Sequence, residues 1–412
     1  MYIFKSNINQ KEYDHFVENH PSCSLLQSYK WANIKNNWKP IYTGVYEKDT
    51  LVAAGLVLIR PLPLSFSMFY LPRGPILDYK NKELLNFFVT NLRKFLKEHH
   101  AYVLRIDPYV IYKERDIDGN IVEDGVDNTE VINNLKSLGF KKVPDKNLEQ
   151  VGWMFSLDLE NKTEEEILKE MKQNTRNIIR KTEKFGIDIK ELSYDELDRF
   201  HQILEETGAR KHFNVRDVSY YQEMYKLFHD KGEVKYFVTE LNLKKYLKKL
   251  EDEISEKNEK IAKLSSSKCN DKLRKNLEED IANLNKRKEE GENIHKEAGK
   301  DIITLSGSMF ILIKPEIIYL SSGNYEEYLK FNSQYLIQWE LIKYGIANGF
   351  KKHNFYGIPA NINIHPKDYG IYQFKRGFNG YVEELIGEYE LPVDPTYHLF
   401  KLIHKIKGVK KK

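Results

Sequence analysis

Met68-Phe-Tyr-Leu-Pro-Arg-Gly74 and Ile317-Ile-Tyr-Leu-Ser-Ser-Gly323 carry the same pattern at two distant points of the chain. Each is a short apolar run closing on Tyr-Leu-x-x-Gly. Each is followed by a helical pattern, then by a strand that ends beside a proline, Ala101–Pro108 in the first case and Lys352–Pro359 in the second. Strand, helix and strand recurring in that order define two related α/β units. A chain of 412 residues with 41% hydrophobic content has the length and apolar mass for two cores.

The flanking segments fill in each unit. Asn9 and Glu12 have capping-box spacing and open a helix. Leu25–Trp38 reads as a second helix, with Leu26, Tyr29, Ile34 and Trp38 partly on one face. Ile41–Tyr46 and Leu51–Ile59 read as a hairpin around Lys48-Asp49-Thr50. Lys82–His99 and Thr129–Leu138 are helical, the latter closed by Gly139. A second unit begins near Val151 with a strand to Leu157. Thr163 and Glu166 cap a helix running to Phe185, with Gly186 as its stop. Val218–His229 is a further helix and Val234–Leu241 a strand. Ile302–Ile313 and Glu316–Leu320 resume strand character before a long helix over Glu326–Asn348.

Charged residues make up 31% of the chain, above the usual quarter, and the excess is local. From Leu243 to Lys300 the sequence is dominated by Lys, Glu and Asn. Leu247, Leu250, Ile254, Ile261 and Leu264 fall at helical spacings, as do Leu273, Leu277, Ile281 and Leu284, with the break Ser265–Asn270 between them. This predicts an antiparallel helical hairpin inserted as an arm. The expected organisation is a first α/β domain over 1–150, a second over 151–242 and 301–394, the arm over 243–300, and a basic terminal helix and tail over 395–412.

A net charge of +4 provides no global field for nucleic acid. Two cysteines, Cys23 and Cys269, lack metal-ligand spacing and suit a reducing compartment. No secretory signal pattern is present, and no apolar run reaches ~18 residues, so a cytoplasmic protein is expected. Walker and Rossmann glycine loops, Gly-x-Ser-x-Gly and His-Glu-x-x-His are absent. His365 has Asn361 and Asn363 before it where a metal site would want carboxylates, and Asp368 is its sole close acid. Metal catalysis and serine hydrolysis are therefore not expected.

The candidate chemistry begins at Tyr369–Gly380, where Lys375 sits between aromatic residues just before Gly377. A cation held against low-dielectric walls acts more strongly than one in water; a solvated Lys-Arg pair leading into the strand Tyr381–Leu385 is the plainer reading. Lys35, after Gln27 and Trp31, is either aimed at an anionic group or part of an ordinary amphipathic helix. Asp107 ends a strand before a proline, a usual place for site residues in α/β folds, and equally a place for a turn aspartate. Arg210, Arg216 and Tyr220 form a polar-aromatic cluster suited to a diphosphate, or a solvated loop with Asp217 as helix cap. Gln173–Lys181 is a basic helix stripe. Leu399, Leu402, Ile403 and Ile406, flanked by lysines, make a short basic amphipathic helix that fits either packing on the body or rest on anionic lipid or tRNA.

Five ordered features resemble the Fem family of peptidoglycan interpeptide-bridge aminoacyltransferases (FemA, FemB, MurM, MurN). They are Leu26-Gln27…Trp31, Arg73-Gly74-Pro75…Asp78-Tyr79, Arg105-Ile-Asp107-Pro108-Tyr109, Arg216-Asp217…Tyr220, and Gln338-Trp339-Glu340…Asn354-Phe-Tyr-Gly357 followed by Phe374-Lys375-Arg376-Gly377. The resemblance is to the FemA/MurN-like, arm-bearing branch. It implies two GNAT-like domains and transfer of Gly, Ala or Ser from aminoacyl-tRNA onto a stem-peptide amine of a lipid-linked cell-wall precursor, with peripheral contact at the inner membrane face and pairing with itself or a related transferase. By resemblance, Lys375 stabilises the oxyanion, Lys35 and Arg216 hold precursor phosphates, and Asp107 and Tyr220 lie near the stem peptide. Tyr319 matches the first tyrosine of a Tyr-Leu-Tyr-Gly pattern whose second position is Ser321 here. An aminoacyl ester is already activated, so no metal or other cofactor is expected. The acetyl-CoA signature Arg/Gln-x-x-Gly-x-Gly/Ala is absent, which disfavours CoA as donor. A non-catalytic coiled-coil adaptor or an immunity factor against cell-wall hydrolases, built on the same domains, is the competing reading.

Overall fold

The computed structural model describes residues 1–35, 37–62, 66–144, 147–264, 268–360 and 366–409, with the backbone alone at 268–269, 366–368 and 403–409. The Ser265–Ser267 break, His365 with Asn361 and Asn363, and the Lys410–Lys412 tail lie outside the described residues, as do the side chains of Cys269, Asp368, Ile403 and Ile406. The strands are β1 (Tyr2–Lys5), β2 (Lys39–Glu47), β3 (Thr50–Pro61), β4 (Ser67–Leu71), β5 (Ala101–Ile106), β6 (Ile111–Glu114), β7 (Lys141–Lys142), β8 (Trp153–Asp158), β9 (Ile187–Glu191), β10 (Val234–Asn242), β11 (Ile302–Ile313), β12 (Glu316–Asn324), β13 (Lys352–Gly357), β14 (Tyr381–Leu385) and β15 (Tyr389–Pro392). The chain divides into two compact units, Met1–Thr163 with Leu312–Ile318 and Gly345–Lys412, and Glu164–Ile311 with Tyr319–Tyr344.

In the first unit one sheet runs β1-β2-β3-β4-β5-β15-β7. Its single parallel pair is β4 with β5, joined through the helix Lys82–Glu98. That helix buries Leu84, Leu85, Phe88, Val89, Leu92 and Leu96 against Val57, Phe69, Leu71 and Leu104. The 3.6-residue spacing of its apolar positions is what turns one face to the sheet. A second set of strands in the unit follows the order β6-β14-β8-β13, with Glu316–Ile318 of β12 parallel to Lys352–Asn354 of β13. Both copies of the Tyr-Leu-x-x-Gly pattern thus belong to a strand that pairs in parallel with the next. They differ at the glycine, since Gly74 lies past the end of β4 while Gly323 is inside β12.

Several expectations are corrected; the helix expected to reach Phe185 is two, Glu164–Glu170 and Gln173–Phe185, and Glu326–Asn348 is a 3-10 turn, Glu326–Phe331, followed by the helix Ser333–Ala347. β15, expected in the second domain, lies in the first sheet because it fills the place between β5 and β7, while β14 pairs with β6 of the expected first domain and with β8 of the expected second. Leu25–Trp38 is not one helix but a 3-10 turn, Leu25–Gln27, and a short helix, Trp31–Ile34. The cause is Gln27, whose buried amide donates to the Pro72 carbonyl at 2.6 Å and accepts from the Leu56 N–H at 2.8 Å, pulling the turn into the sheet. Among the described side chains of the terminal helix Thr396–Val409, Tyr397 and Phe400 pack against Tyr102, Val103 and Phe66, while Leu399 and Leu402 are exposed.

In the second unit β9, β10 and β11 form an antiparallel run. The helices Leu243–Ala262 and Lys268–Ala298 are antiparallel, as the pairs Lys257–Asp280 (2.6 Å) and Glu251–Lys288 (2.8 Å) require. Leu243, Tyr246, Leu250 and Leu284 root the arm in a core shared with Phe185, Leu241, Ile303 and Phe331. Among the described residues no helix is long and apolar enough to cross a membrane.

Gly380 is fixed by close approach: a Cβ there would stand 2.0 Å from the Ser156 carbonyl oxygen. Gly380→Ala must push β14 off β8, and we expect it to cost about 3 kcal/mol or more, measured by urea denaturation.

Candidate active site

Lys375 lies on the last turn of a helix, Pro366–Arg376, that leads into β14. Phe374 and Phe378, four residues apart, meet edge to face at 5.6 Å, and Phe378 packs on Phe355 of β13 at 4.9 Å. Lys375 is 5% exposed. Its Nζ donates to the carbonyl of Gly357 at 2.7 Å and of Tyr356 at 3.3 Å. Among the described residues no carboxylate pairs with it, and burial alone lowers its pKa from 10.5 to about 7. The aromatic setting was visible in the sequence. The helix was not, and neither was the depth of burial that leaves the charge so weakly held.

The strand ends around it carry a buried polar network. Asn354 donates to Glu316 Oε2 at 3.2 Å and to the Tyr109 hydroxyl at 3.3 Å. Tyr109 donates to Glu316 Oε1 at 2.9 Å. Lys352 bridges Glu316 at 3.1 Å and Glu383 at 2.9 Å, and Ser156 donates to Glu383 at 2.6 Å. Burial alone would lower the Lys352 pKa, but Glu316, Tyr109 and Glu383 outweigh it and hold the ammonium well above its ordinary range. This lysine is the paired counterpart of Lys375: comparably enclosed, but surrounded by acids.

Asp107 is 1% exposed at the end of β5. It accepts the Arg73 N–H at 2.7 Å and faces the Arg73 guanidinium at 3.8 Å. Burial, only partly offset by Arg73, raises its pKa to about 7. Arg73 has a left-handed backbone, φ 53°, a conformation costly to a side chain, which the Asp107 bond holds in place. Its guanidinium also donates to Val151 O at 2.8 Å and lies over the Tyr109 ring at 5.5 Å. An aspartate expected to act beside the stem peptide is thus enclosed and engaged with Arg73. Without Arg73 that carboxyl takes a proton near neutral pH instead of staying charged, so we expect Arg73→Met to cost about 1–3 kcal/mol, chiefly the donor lost at the Val151 carbonyl, read by thermal melting.

Lys35 caps the C-terminal end of the short helix Trp31–Ile34, half-buried, in the first unit. The remaining candidates belong to the second unit. Arg216 is exposed with its guanidinium 4.7 Å over the Tyr220 ring, beside the start of the helix Val218–Phe228, so these two do come together. Arg210 instead turns inward and donates to the Asn324 carbonyl at 3.1 Å. Tyr319 is 8% exposed and donates to Gln334 at 3.0 Å, within a polar core that also holds Ser308 and Ser322. Sequence reasoning assigned no role to Arg73, Glu316, Lys352 or Asn354. Arg73 and Asn354 stood in the motifs that carried the resemblance, but nothing local marks either as buried.

The architecture is of the two-unit α/β class with an inserted helical hairpin. The chain belongs to the FemAB family, whose model matches residues 8–405. Aminoacyltransferase FemA of Staphylococcus epidermidis is 29% identical to it, over 98% of this chain and 99% of its own length. Aminoacyltransferase FemA of Staphylococcus aureus (strain N315) is likewise 29% identical, covering 98% of each chain. The crystal structure of FemX superposes with a TM-score of 0.75 at 25% identity, covering 97% of this chain and 99% of that one.

Proposed function

We propose that this protein is an aminoacyl-tRNA-dependent aminoacyltransferase. In this reading it moves a small amino acid, Gly, Ala or Ser, onto the stem-peptide amine of a lipid-linked peptidoglycan precursor. The observation that carries the reading is Lys375: a buried lysine nitrogen bound by two carbonyls and by no acid among the described residues. A protonated lysine has three N–H groups. Two serve the carbonyls of Tyr356 and Gly357, and the third is left for a negative oxygen. Attack of the amine on the tRNA ester turns the carbonyl into such an oxygen, and a charge aimed at it in an enclosed site lowers the barrier. The developing oxyanion itself raises the lysine's hold on its proton, so the group is charged when the charge is needed.

The attacking amine, with an ordinary pKa of ~10.4, gives up its proton before attack. Asp107 is enclosed and committed to Arg73, so in this reading the proton passes to water and Asp107 acts by holding Arg73. Arg216 over Tyr220 suits precursor phosphate. The ester supplies its own activation, so neither CoA nor a metal enters the reaction. The exposed Leu399 and Leu402 on a lysine-rich helix suit peripheral contact with the cytoplasmic membrane face.

The test is mass analysis of lipid-linked precursor after incubation with the protein and a mixed pool of glycyl-, alanyl- and seryl-tRNA. We expect one added residue. An unchanged precursor mass with every donor rejects the reading.

A further inference from the structure

The two carbonyls that hold Lys375 come from a strand end that the chain does not adopt by default. Tyr356 has φ 64°, in the left-handed region, where a bulky side chain is costly. The pairing of β13 with β8 slips between Asn354 and Gly357, so this end of the strand is bulged. Bulges of this kind re-aim groups next to active sites, and here the groups re-aimed are the Tyr356 and Gly357 carbonyls. What pins the bulge is Asn354, 0% exposed. Its Oδ1 accepts the Tyr356 N–H at 2.7 Å, while its Nδ2 donates to Glu316 and Tyr109 on the other side. Opposite partners on the two amide atoms fix which way the amide faces. A Cβ on Gly357 would meet Val151 at 2.9 Å, so a side chain has no room at this position.

The geometry points to Asn354 as a positioning residue for the transfer reaction: by locking the left-handed turn at Tyr356 it sets the two carbonyls that aim Lys375 Nζ, and the buried Glu316–Tyr109 pair is its anchor. This rests on the function proposed above. Small errors in such placement cost on the order of 10²-fold in rate.

Asn354→Asp keeps an acceptor for the Tyr356 N–H but sets a second carboxylate against Glu316, where the present contact is 3.2 Å. Two such groups cannot both stay ionised without repulsion. Adding Glu316→Gln returns a donor opposite the new acid, and Lys352 retains Glu383. We expect Asn354→Asp to lower kcat by about 30–100-fold, with KM for donor and precursor within about twofold of the parent. The limb of the pH–rate profile near pH 7 should move, because the carbonyls around Lys375 are displaced. The double variant should recover to within about threefold and restore the limb. A role in folding alone would lower the melting temperature while leaving both the limb and the kcat of the folded fraction unmoved, and that result overturns the proposal. So does a double variant that melts like the parent yet remains as slow as Asn354→Asp, or a double variant that does not fold. Parent protein and Lys375→Ala are run alongside. An inactive parent counts against the function itself; an active parent, a slow Lys375→Ala and a fast Asn354→Asp count against the positioning role alone.

Discussion

Lys375→Met should lower kcat by about 10²–10³-fold while leaving KM for the precursor within about twofold. Methionine nearly matches the volume and apolar stem of lysine, so the rings of Phe374 and Phe378 keep their contact and the helix Pro366–Arg376 keeps its end. What is removed is one N–H donor and one switchable charge. A group that acts on the transition state alone is missed in kcat and not in binding. Steady-state kinetics with separately varied donor and precursor distinguish the cases. A raised KM with an unchanged kcat would place Lys375 in substrate binding and remove it from the chemistry.

The same substitution should make the protein more stable near neutral pH. In the unfolded chain the lysine holds its proton up to its ordinary value of 10.5, whereas in the fold it lets go near 7. Between those values the unfolded state binds more protons, so the parent's stability rises with pH across that window and carries its full penalty below it. The penalty comes to about 4 kcal/mol near pH 7 and about 1 kcal/mol near pH 10, as an upper bound. Methionine removes it but leaves the Tyr356 and Gly357 carbonyls without their donor, at about 1–2 kcal/mol. The net gain is thus about 2–3 kcal/mol near pH 7 and vanishes near pH 10. Chemical denaturation of both proteins across that range reads it directly. A variant less stable than the parent near pH 7 would mean that Lys375 has a partner that offsets its burial. Gain of stability with loss of turnover is the pattern of a residue kept for function at the expense of the fold.

Much of this fold was legible because periodicity is local. The helix Lys82–Glu98 and the two arm helices announce themselves by apolar spacing, and β2 with β3 by a turn between alternating runs. Two of the misreadings are long-range. Gln27 broke a plausible helix because its amide serves Leu56 and Pro72, residues on other elements. β15 entered the first sheet because β5 and β7 left a place for it. At the site, the aromatic neighbours of Lys375 were readable as adjacent letters. The carbonyl clamp was not, since Tyr356 and Gly357 lie on another element and the turn that aims them depends on Asn354, Glu316 and Tyr109 converging from two strands and a loop. Asp107 was placed correctly at a strand end, but only its enclosure shows that it serves Arg73.

The central claim is that a buried nitrogen without an acid partner supplies the charge for transfer. Its most direct test is the titration of that nitrogen. In protein labelled with 13C at lysine Cε, the Lys375 resonance can be assigned by its absence from Lys375→Met and followed with pH. The account predicts a midpoint near 7. A midpoint close to the ordinary ~10.4 would mean a solvated or paired ammonium and would contradict it.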